Sequence, residues 1–402
     1  MSDERREVIV AGGGPAGSAV ACLLARRGHD VLLVDAARFP RDKVCGEGVS
    51  PEAWRLLDAM GAADRVRALS PRPLHGMLLV SPDGTAFRGE YRGRERPGFA
   101  VRRLAFDAAL LDAARDAGVE VREGVRVTGL VREGGAVAGV VTEAGGEQRT
   151  SRARVTVGAE GRRSVVARSL GLLREHPRMR RFAVRGYWEG VAALGDVGEM
   201  HVGGGGYCGV APLSPTLANV AFVLDRRDMG PAAGDLEGFY RRSLKDRWPV
   251  LAERLEGARL VEPPRAIGPL ALECSAVAAP GALLLGDAAG FYDPFTGEGV
   301  TLALRGAEIA AEALEPALAR PSSAAPLRLV AYERARAAAT RDKFRFNRLL
   351  QLAVGRPAAA NAIARRLARR PDLADRLVGI AGDFVPARTA LGPRFLWELL
   401  TA

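Results

Sequence analysis

Apolar residues in the first part of the chain come in short runs punctuated by glycine. Val8–Ala11 is an apolar run that ends in glycines, Pro15–Gly28 carries small and apolar residues at helical spacing, and Asp30–Asp35 is a second apolar run. This predicts strand, turn, helix and strand within about 30 residues.

The pattern then changes. Ser50–Val66 reads as a helix through Trp54, Leu56, Leu57 and Met60, and Leu74–Arg92 alternates about the turn Pro82-Asp83-Gly84, which predicts a hairpin. Leu104–Ala117 is an amphipathic helix that Gly118 ends, and Val119–Val157 reads as short β segments broken at Gly134-Gly135 and Gly145-Gly146. Phe182–Trp188, Glu199–Val202, Gly209–Ala211 and Asn219–Leu224 predict a second β-rich region. From Gly299 onward the pattern is helical: Val300–Leu318, Leu327–Leu350 and a terminal group after Pro357.

Composition narrows the classes. With 402 residues the chain holds one large domain or two ordinary ones, on a prior of about 150 residues each. The net charge of +11 invites a nucleic-acid partner, yet the cations are arginines spread along the chain, with lysine only at Lys43, Lys245 and Lys343. No nucleic-acid partner is expected. Arg365, Arg366, Arg369, Arg370 and Arg376 are locally dense, which raises a peripheral membrane contact. The blander reading is an amphipathic cap with a solvated arginine face. Cys22, Cys45, Cys208 and Cys274 show neither zinc nor disulfide spacing, so no metal is expected and reduced thiols point to the cytoplasm, or to a peripheral place on the inner membrane surface. No secretory signal opens the chain, and no run of about 18 apolar residues spans a bilayer.

The chemistry is carried by glycine motifs. Gly12, Gly14 and Gly17 of Gly12-Gly13-Gly14-Pro15-Ala16-Gly17 match GxGxxG at the start of the first helix. Such a loop brings backbone N–H groups and a helix N-terminus, here with Pro15 and Ala16, to a diphosphate. Asp35 ends the next strand, where a carboxylate accepts from a ribose hydroxyl. That much fits FAD or NAD. A second motif, Leu283-Leu284-Leu285-Gly286-Asp287-Ala288-Ala289-Gly290, offers Asp287 to a polyol chain that only the flavin has. Asp293-Pro294-Phe295-Thr296-Gly297-Glu298-Gly299 then opens a helix at Val300, whose free N–H groups suit the negative charge of a reduced flavin.

With these motifs, and with Gly158-Ala159-Glu160-Gly161-Arg162-Arg163-Ser164 between them, the chain resembles the p-hydroxybenzoate-hydroxylase-like FAD-dependent oxidoreductases over roughly residues 8 to 315. The resemblance implies an α/β fold: a three-layer, Rossmann-like FAD-binding domain, an inserted antiparallel β-sheet substrate domain and a helical C-terminal cap. The expected divisions are 1–70, 98–178 and 265–318 for the FAD domain, 71–97 and 179–264 for the substrate domain, and 319–402 for the helical region. Glu160 stands where the family usually has aspartate. Phe39-Pro40-Arg41-Asp42-Lys43-Val44-Cys45-Gly46-Glu47-Gly48 resembles the geranylgeranyl reductase stretch that runs beside the flavin. By that resemblance Arg41, Cys45 and Gly46 join the cofactor set, and Arg103, in an Arg-x-x-Phe-Asp pattern, reaches the flavin. A pairing of Cys45 with Cys208 across the pocket is a minor alternative.

One stretch departs from that family. Geranylgeranyl reductases resemble one another in Tyr-x-Trp-x-Phe-Pro, whereas Tyr207-Cys208-Gly209-Val210-Ala211-Pro212 has Gly209 and Ala211 at the bulky positions. A wider cavity follows, with Tyr207, Gly209 and Ala211 as substrate residues and Cys45, Pro294 and Gly297 at the reaction centre. The halogenase Trp-x-Trp-x-Ile-Pro is missing, and no lysine lies between Lys43 and Lys245. No second GxGxxG unit is present, so NAD(P)H is expected as a transient reductant. The favoured activity is an NAD(P)H-driven monooxygenase acting on a lipophilic aromatic or polyketide-like molecule. Its rival is a reductase of carbon–carbon double bonds in an isoprenoid or quinone; a halogenase or a non-catalytic electron carrier stands further off.

Overall fold

The computed structural model describes residues 4–319, 329–392, 395, 397 and 398, and is organised around two eight-stranded sheets. In the first, Ala282–Leu284, Glu147–Gly158, Glu4–Ala11, Val31–Asp35 and Glu120–Glu123 lie side by side and parallel. Their apolar runs are buried on both faces, as uninterrupted strands require. Helices Pro15–Ala25, Arg103–Asp116 and Gly299–Leu318 cover one face through Val20, Leu24, Leu110, Leu304 and Ala307. The strands Arg126–Glu133 and Ala136–Ala144, with the short helix Val165–Ser169, cover the other through Val127, Val140 and Val166. These are the three layers.

The second sheet runs in the order Arg259–Leu260, Arg181–Glu189, Leu217–Asp225, Gly206–Pro212, Gly198–Gly203, Gly76–Val80, Ala86–Glu90. It is antiparallel except at one join, where Gly198–Gly203 runs parallel to Gly76–Val80. That exception follows from the chain path: the hairpin about Pro82-Asp83-Gly84 arrives from a distant segment and docks on the edge of a sheet built later. The outer face is covered by helices Leu236–Arg247 and Pro249–Arg254, which the pattern of polar residues had concealed. Leu236, Phe239, Tyr240 and Leu244 face the sheet at helical spacing among arginines, and Asp235 caps the start by accepting from Gly238 N at 2.8 Å.

Two other expectations are adjusted. The helix over Ser50–Val66 is two helices, Glu52–Ala59 and Ala63–Ala68, because Gly61 between them has φ +72°. The long C-terminal helix runs Val330–Val354, and its expected start at Leu327 lies outside the described residues. It packs with Pro357–Arg369 and Pro371–Ala381 onto the hairpin, through Phe346, Leu367 and Leu373 against Phe87. Of the dense arginines, Arg365 pairs with Asp83, Arg370 with Asp372 and Arg376 with Glu398. Among the described residues no helix is long and apolar enough to cross a membrane, and no cluster of three metal-ligating side chains occurs.

Candidate cofactor and substrate site

The motifs meet because their strands end together. Ala11 is level with Gly158 and Gly158 with Leu284, so the loops that follow all leave the same sheet edge. A Cβ at Gly17 would lie 3.3 Å from Ala159 Cβ, and one at Gly286 would lie 3.1 Å from Ala16 Cβ. At Gly17 that added carbon would also sit 1.8 Å from Gly12 O, and at Gly12, where φ is +103°, 2.5 Å from Ala159 O. Glycine is therefore required at both positions by close backbone approach.

The residues present fit a dinucleotide at this edge. Helix Pro15–Ala25 begins with no side-chain cap and with proline in its first turn, so its early N–H groups are free to meet a phosphate. Arg41 brings positive charge alongside: its Nη2 is 3.4 Å from the Cβ position of Gly14, and its Nη1 donates to Asp107 at 2.8 Å. Asp35 is committed to the loop, accepting from Gly13 N and Ala37 N, both at 2.7 Å. It braces the turn and retains lone pairs for a ribose. Glu160 is spent elsewhere. It accepts from Val165 N at 3.0 Å, Val166 N at 3.1 Å and Ser164 Oγ at 2.7 Å, bracing the start of the short helix Val165–Ser169, which Ser164 caps by accepting from Ala167 N at 3.0 Å. The extra methylene that separates it from aspartate is used to reach those N–H groups.

Further along, Asp287 is half-buried and accepts from Lys43 Nζ at 3.3 Å, placing a cation from the 39–48 loop over the second motif. Gly297 has φ +69° and donates to Pro294 O at 2.9 Å, closing a turn before helix Gly299–Leu318, which also starts without a side-chain cap. A Cβ at Gly46 or Gly297 would meet nothing within 4 Å, and one at Gly299 only the Phe291 ring at 4.0 Å. These backbones, with Val300 behind them, are bare, as a flat ring laid against them demands. A cavity of about 730 Å³ starts at Gly286 and Asp287, passes Asp293 and Glu298, and is closed by Tyr332, Arg336 and Asn347 of the long C-terminal helix. Of the predicted set it takes in Gly286, Asp287 and Gly299, and none of Gly12–Gly17, Cys45, Gly209, Ala211, Pro294, Gly297 or Val300.

The loop that carries Cys45 is held by a carboxylate that motif reading passed over. Glu47 is 1% exposed, at φ +62°. Its Oε1 accepts from Arg103 N at 2.8 Å and Tyr187 Oη at 2.6 Å, and its Oε2 from Asn219 Nδ2 at 3.0 Å. Asn219 Nδ2 also donates to Cys45 O at 2.9 Å. Burial pushes the Glu47 carboxyl up, and the Tyr187, Asn219 and Arg103 donors pull it back. Arg103, expected to reach the flavin, is buried with its Nε and Nη2 on Asp107 at 2.6 and 2.7 Å, and its guanidinium also meets Cys45. Burial disfavours the Asp107 charge, but the Arg103 guanidinium holds its carboxyl below the usual range. The Arg-x-x-Phe-Asp pattern that named Arg103 contained its partner, four residues on.

The inner face of the second sheet looks onto this loop. Its middle row runs Met200, Gly209, Ala221, Arg185 in register. Gly209 and Ala221 are only half-buried between buried neighbours, and a Cβ at Gly209 would come no closer than 3.6 Å, to Met200 Cε. Space above the cofactor edge therefore opens at the small residues. Of the three expected substrate residues Gly209 is half-buried, whereas Tyr207 and Ala211 are buried. Tyr207 is 2% exposed and donates to Asp293 Oδ1 at 2.6 Å, stacked edge-on against Phe295. Asp293 also binds Arg181 at 2.8 Å and Gln351 at 2.6 Å, so Tyr207 is a strut onto the 293–299 loop. Ala211 is packed with Leu74 and Ala100. Cys208 points to the helix-covered outer face, and burial pushes its thiol up, so it does not meet Cys45.

Comparison with known proteins agrees with this geometry. The family described as FAD binding domain matches residues 5–195. The chain is 31% identical over 334 residues to menaquinone reductase of Mycobacterium tuberculosis, covering 78% of this chain and 77% of that one. It is 31% identical over 326 residues to digeranylgeranylglycerophospholipid reductase of Methanosarcina mazei, covering 78% and 76%. A tryptophan 2-halogenase of Chondromyces crocatus is also among its relatives, 31% identical over 331 residues, covering 78% of this chain and 62% of that one. A solved flavoprotein/dehydrogenase from Cytophaga hutchinsonii superposes with a TM-score of 0.84 at 23% identity over 98% of this chain and 97% of that one, a likeness of fold. The chain belongs to the p-hydroxybenzoate-hydroxylase-like family of FAD-dependent oxidoreductases, alongside geranylgeranyl-reductase-like proteins and menaquinone reductases.

Proposed function

We propose that the protein is an NAD(P)H-driven, FAD-dependent reductase that adds hydrogen across a carbon–carbon double bond of a lipophilic, isoprenoid-bearing molecule such as a quinone. The observation that carries this reading is the Cys45-Gly46-Glu47 loop. It resembles the reductase stretch, and Glu47, Tyr187 and Asn219 hold it between the cofactor edge and the inner face of the second sheet. Relatives named as reductases of a quinone and of an isoprenoid lipid, each matched over about three quarters of both chains, support the same class.

The roles divide by position. The first turn of helix Pro15–Ala25 and Arg41 would hold the diphosphate, Asp287 the polyol chain, and the backbone of Gly297–Gly299 the ring. When bound, FAD supplies the hydride, taken from NAD(P)H. The protein supplies an apolar wall at Met200 and Ala221, an open floor at Gly209, and the placement of Cys45 by Glu47.

The monooxygenase reading keeps one specific support: the small residues Gly209 and Ala221 leave room for a ring above the cofactor edge. An oxygen electrode separates the two. With NAD(P)H and a menaquinone analogue, the reductase forms product without stoichiometric oxygen uptake. Uptake of one O2 for each product molecule would overturn it in favour of the monooxygenase.

A further inference from the structure

Glu298 is an acid in an unexpected place. It directly precedes helix Gly299–Leu318, between the two glycines whose backbones are bare, and it is 3% exposed. A polar side chain at this position ordinarily turns its oxygen onto the N–H groups of the first turn. Here no side-chain cap forms. The carboxylate reaches instead to Nζ of Lys343, 2.7 Å away on helix Val330–Val354. Lys343 is also 3% exposed, and its ammonium donates to the carbonyls of Ile380 and, at 3.3 Å, Ala381, with Asp383 at 4.0 Å. The cation is thus fixed by the C-terminal helices, and it determines where the acid lies.

That geometry has a chemical consequence. The N–H groups of the first turn cannot serve an internal carboxylate and a ligand at once. A carboxylate sitting on them would cancel the positive end of the helix dipole at the edge where a reduced flavin is negative. We infer that Lys343 is a positioning residue for the cofactor: by drawing the Glu298 carboxylate aside and neutralising it, Lys343 keeps the start of helix Gly299–Leu318 open and positive toward the flavin. The inference rests on the family's FAD site and not on whether the reaction is a reduction or an oxygenation.

The test reads the cofactor and not turnover. The midpoint potential of bound FAD is measured by dye equilibration at pH 9, where the Glu298 carboxyl, pushed up to about 8, is ionised, in wild type, Lys343→Met, Glu298→Ala and the double variant, with FAD content and thermal midpoint alongside. Lys343→Met should lose about tenfold of the preference for reduced over oxidised FAD, a fall of about 30 mV for a two-electron couple. Removing the carboxylate as well should restore the potential to the wild-type value. If Lys343→Met loads no FAD, the inference still requires the double variant to load normally. A wild-type potential in Lys343→Met, a double variant that stays as low as the single one, or failure of both to load would overturn it. The second result would assign the effect to the Lys343 charge itself, and the third would assign Lys343 a role in packing alone.

Discussion

Tyr187 donates its hydroxyl hydrogen bond to Glu47 at 2.6 Å, so the inner face of the second sheet and the loop of Cys45 share a single buried carboxylate. Tyr187→Phe removes one donor to Glu47 Oε1 and leaves Arg103 N as its other partner. A hydrogen bond to a charged, buried group contributes about 1.5–3 kcal/mol, and the variant should lose stability on that order. Cys45, released with its loop, should alkylate faster, as read by peptide mass spectrometry. No change in either quantity would show that the loop is held by Asn219 and Arg103 alone.

Asp287→Ala should weaken FAD binding roughly ten- to a hundredfold, since a charge-assisted hydrogen bond to the polyol chain is worth about 1.5–3 kcal/mol. The same change frees Lys43, whose Nζ lies 3.3 Å from the carboxylate. Titration of apoprotein with FAD measures the effect, and an unaltered dissociation constant would remove Asp287 from the cofactor set.

Gly209 and Ala211 share a face of one strand, yet their substitutions should behave differently. Gly209 has room beside Met200, so Gly209→Trp should fold, load FAD normally and turn over substrate more slowly. Ala211 is 6% exposed against Leu74 and Ala100, so Ala211→Phe overpacks and should cost about 1–3 kcal/mol of stability. Denaturation midpoints and FAD content of the two variants distinguish the positions. Equal destabilisation would mean that no cavity opens at Gly209.

Glu298 gives the protein a pH dependence. Burial pushes its carboxyl from 4.5 up to about 8, with Lys343 pulling it down and Asp383 adding to the rise. An acid whose pKa is raised by folding binds its proton more tightly in the folded state. Its contribution to stability is therefore greatest at the acid end, declines as pH rises from 4.5 to about 8, and is level above. The stability of Glu298→Gln relative to wild type should accordingly improve across that interval in urea titrations at stepped pH. A constant difference would show that Glu298 stays ionised throughout.

The parts of the site that were legible in sequence are those in which glycine is demanded by contact. Gly12 and Gly17 cannot bear a side chain, Gly297 needs a positive φ, and apolar strands such as Val31–Asp35 admit no other burial. Side chains were less legible, because a motif gives a residue's place along the chain and not the partner it meets. Tyr207, Arg103 and Glu160 stand where motif reading put them, and each also bonds to a partner that reading did not name: Asp293, Asp107 and the 164–166 turn. Glu47 and Asp293 lay inside the quoted motifs. What marks them is that several donors from distant strands converge on each, which no local pattern encodes. The helix Leu236–Arg247 was hidden for a related reason: its apolar stripe is narrow, and arginines fill the rest of the turn.

The central claim, reduction of a double bond at the face between Cys45 and Gly209, is tested most directly by the product formed without oxygen. Enzyme loaded with FAD is supplied with NAD(P)H and a menaquinone analogue under strict anaerobiosis, and the product is analysed by mass spectrometry. The account predicts turnover at the aerobic rate and a product heavier by two hydrogen atoms, with Gly209→Trp slowing it at unchanged FAD content. No anaerobic product, with an oxygen atom from labelled O2 appearing in the product once air is admitted, would contradict it.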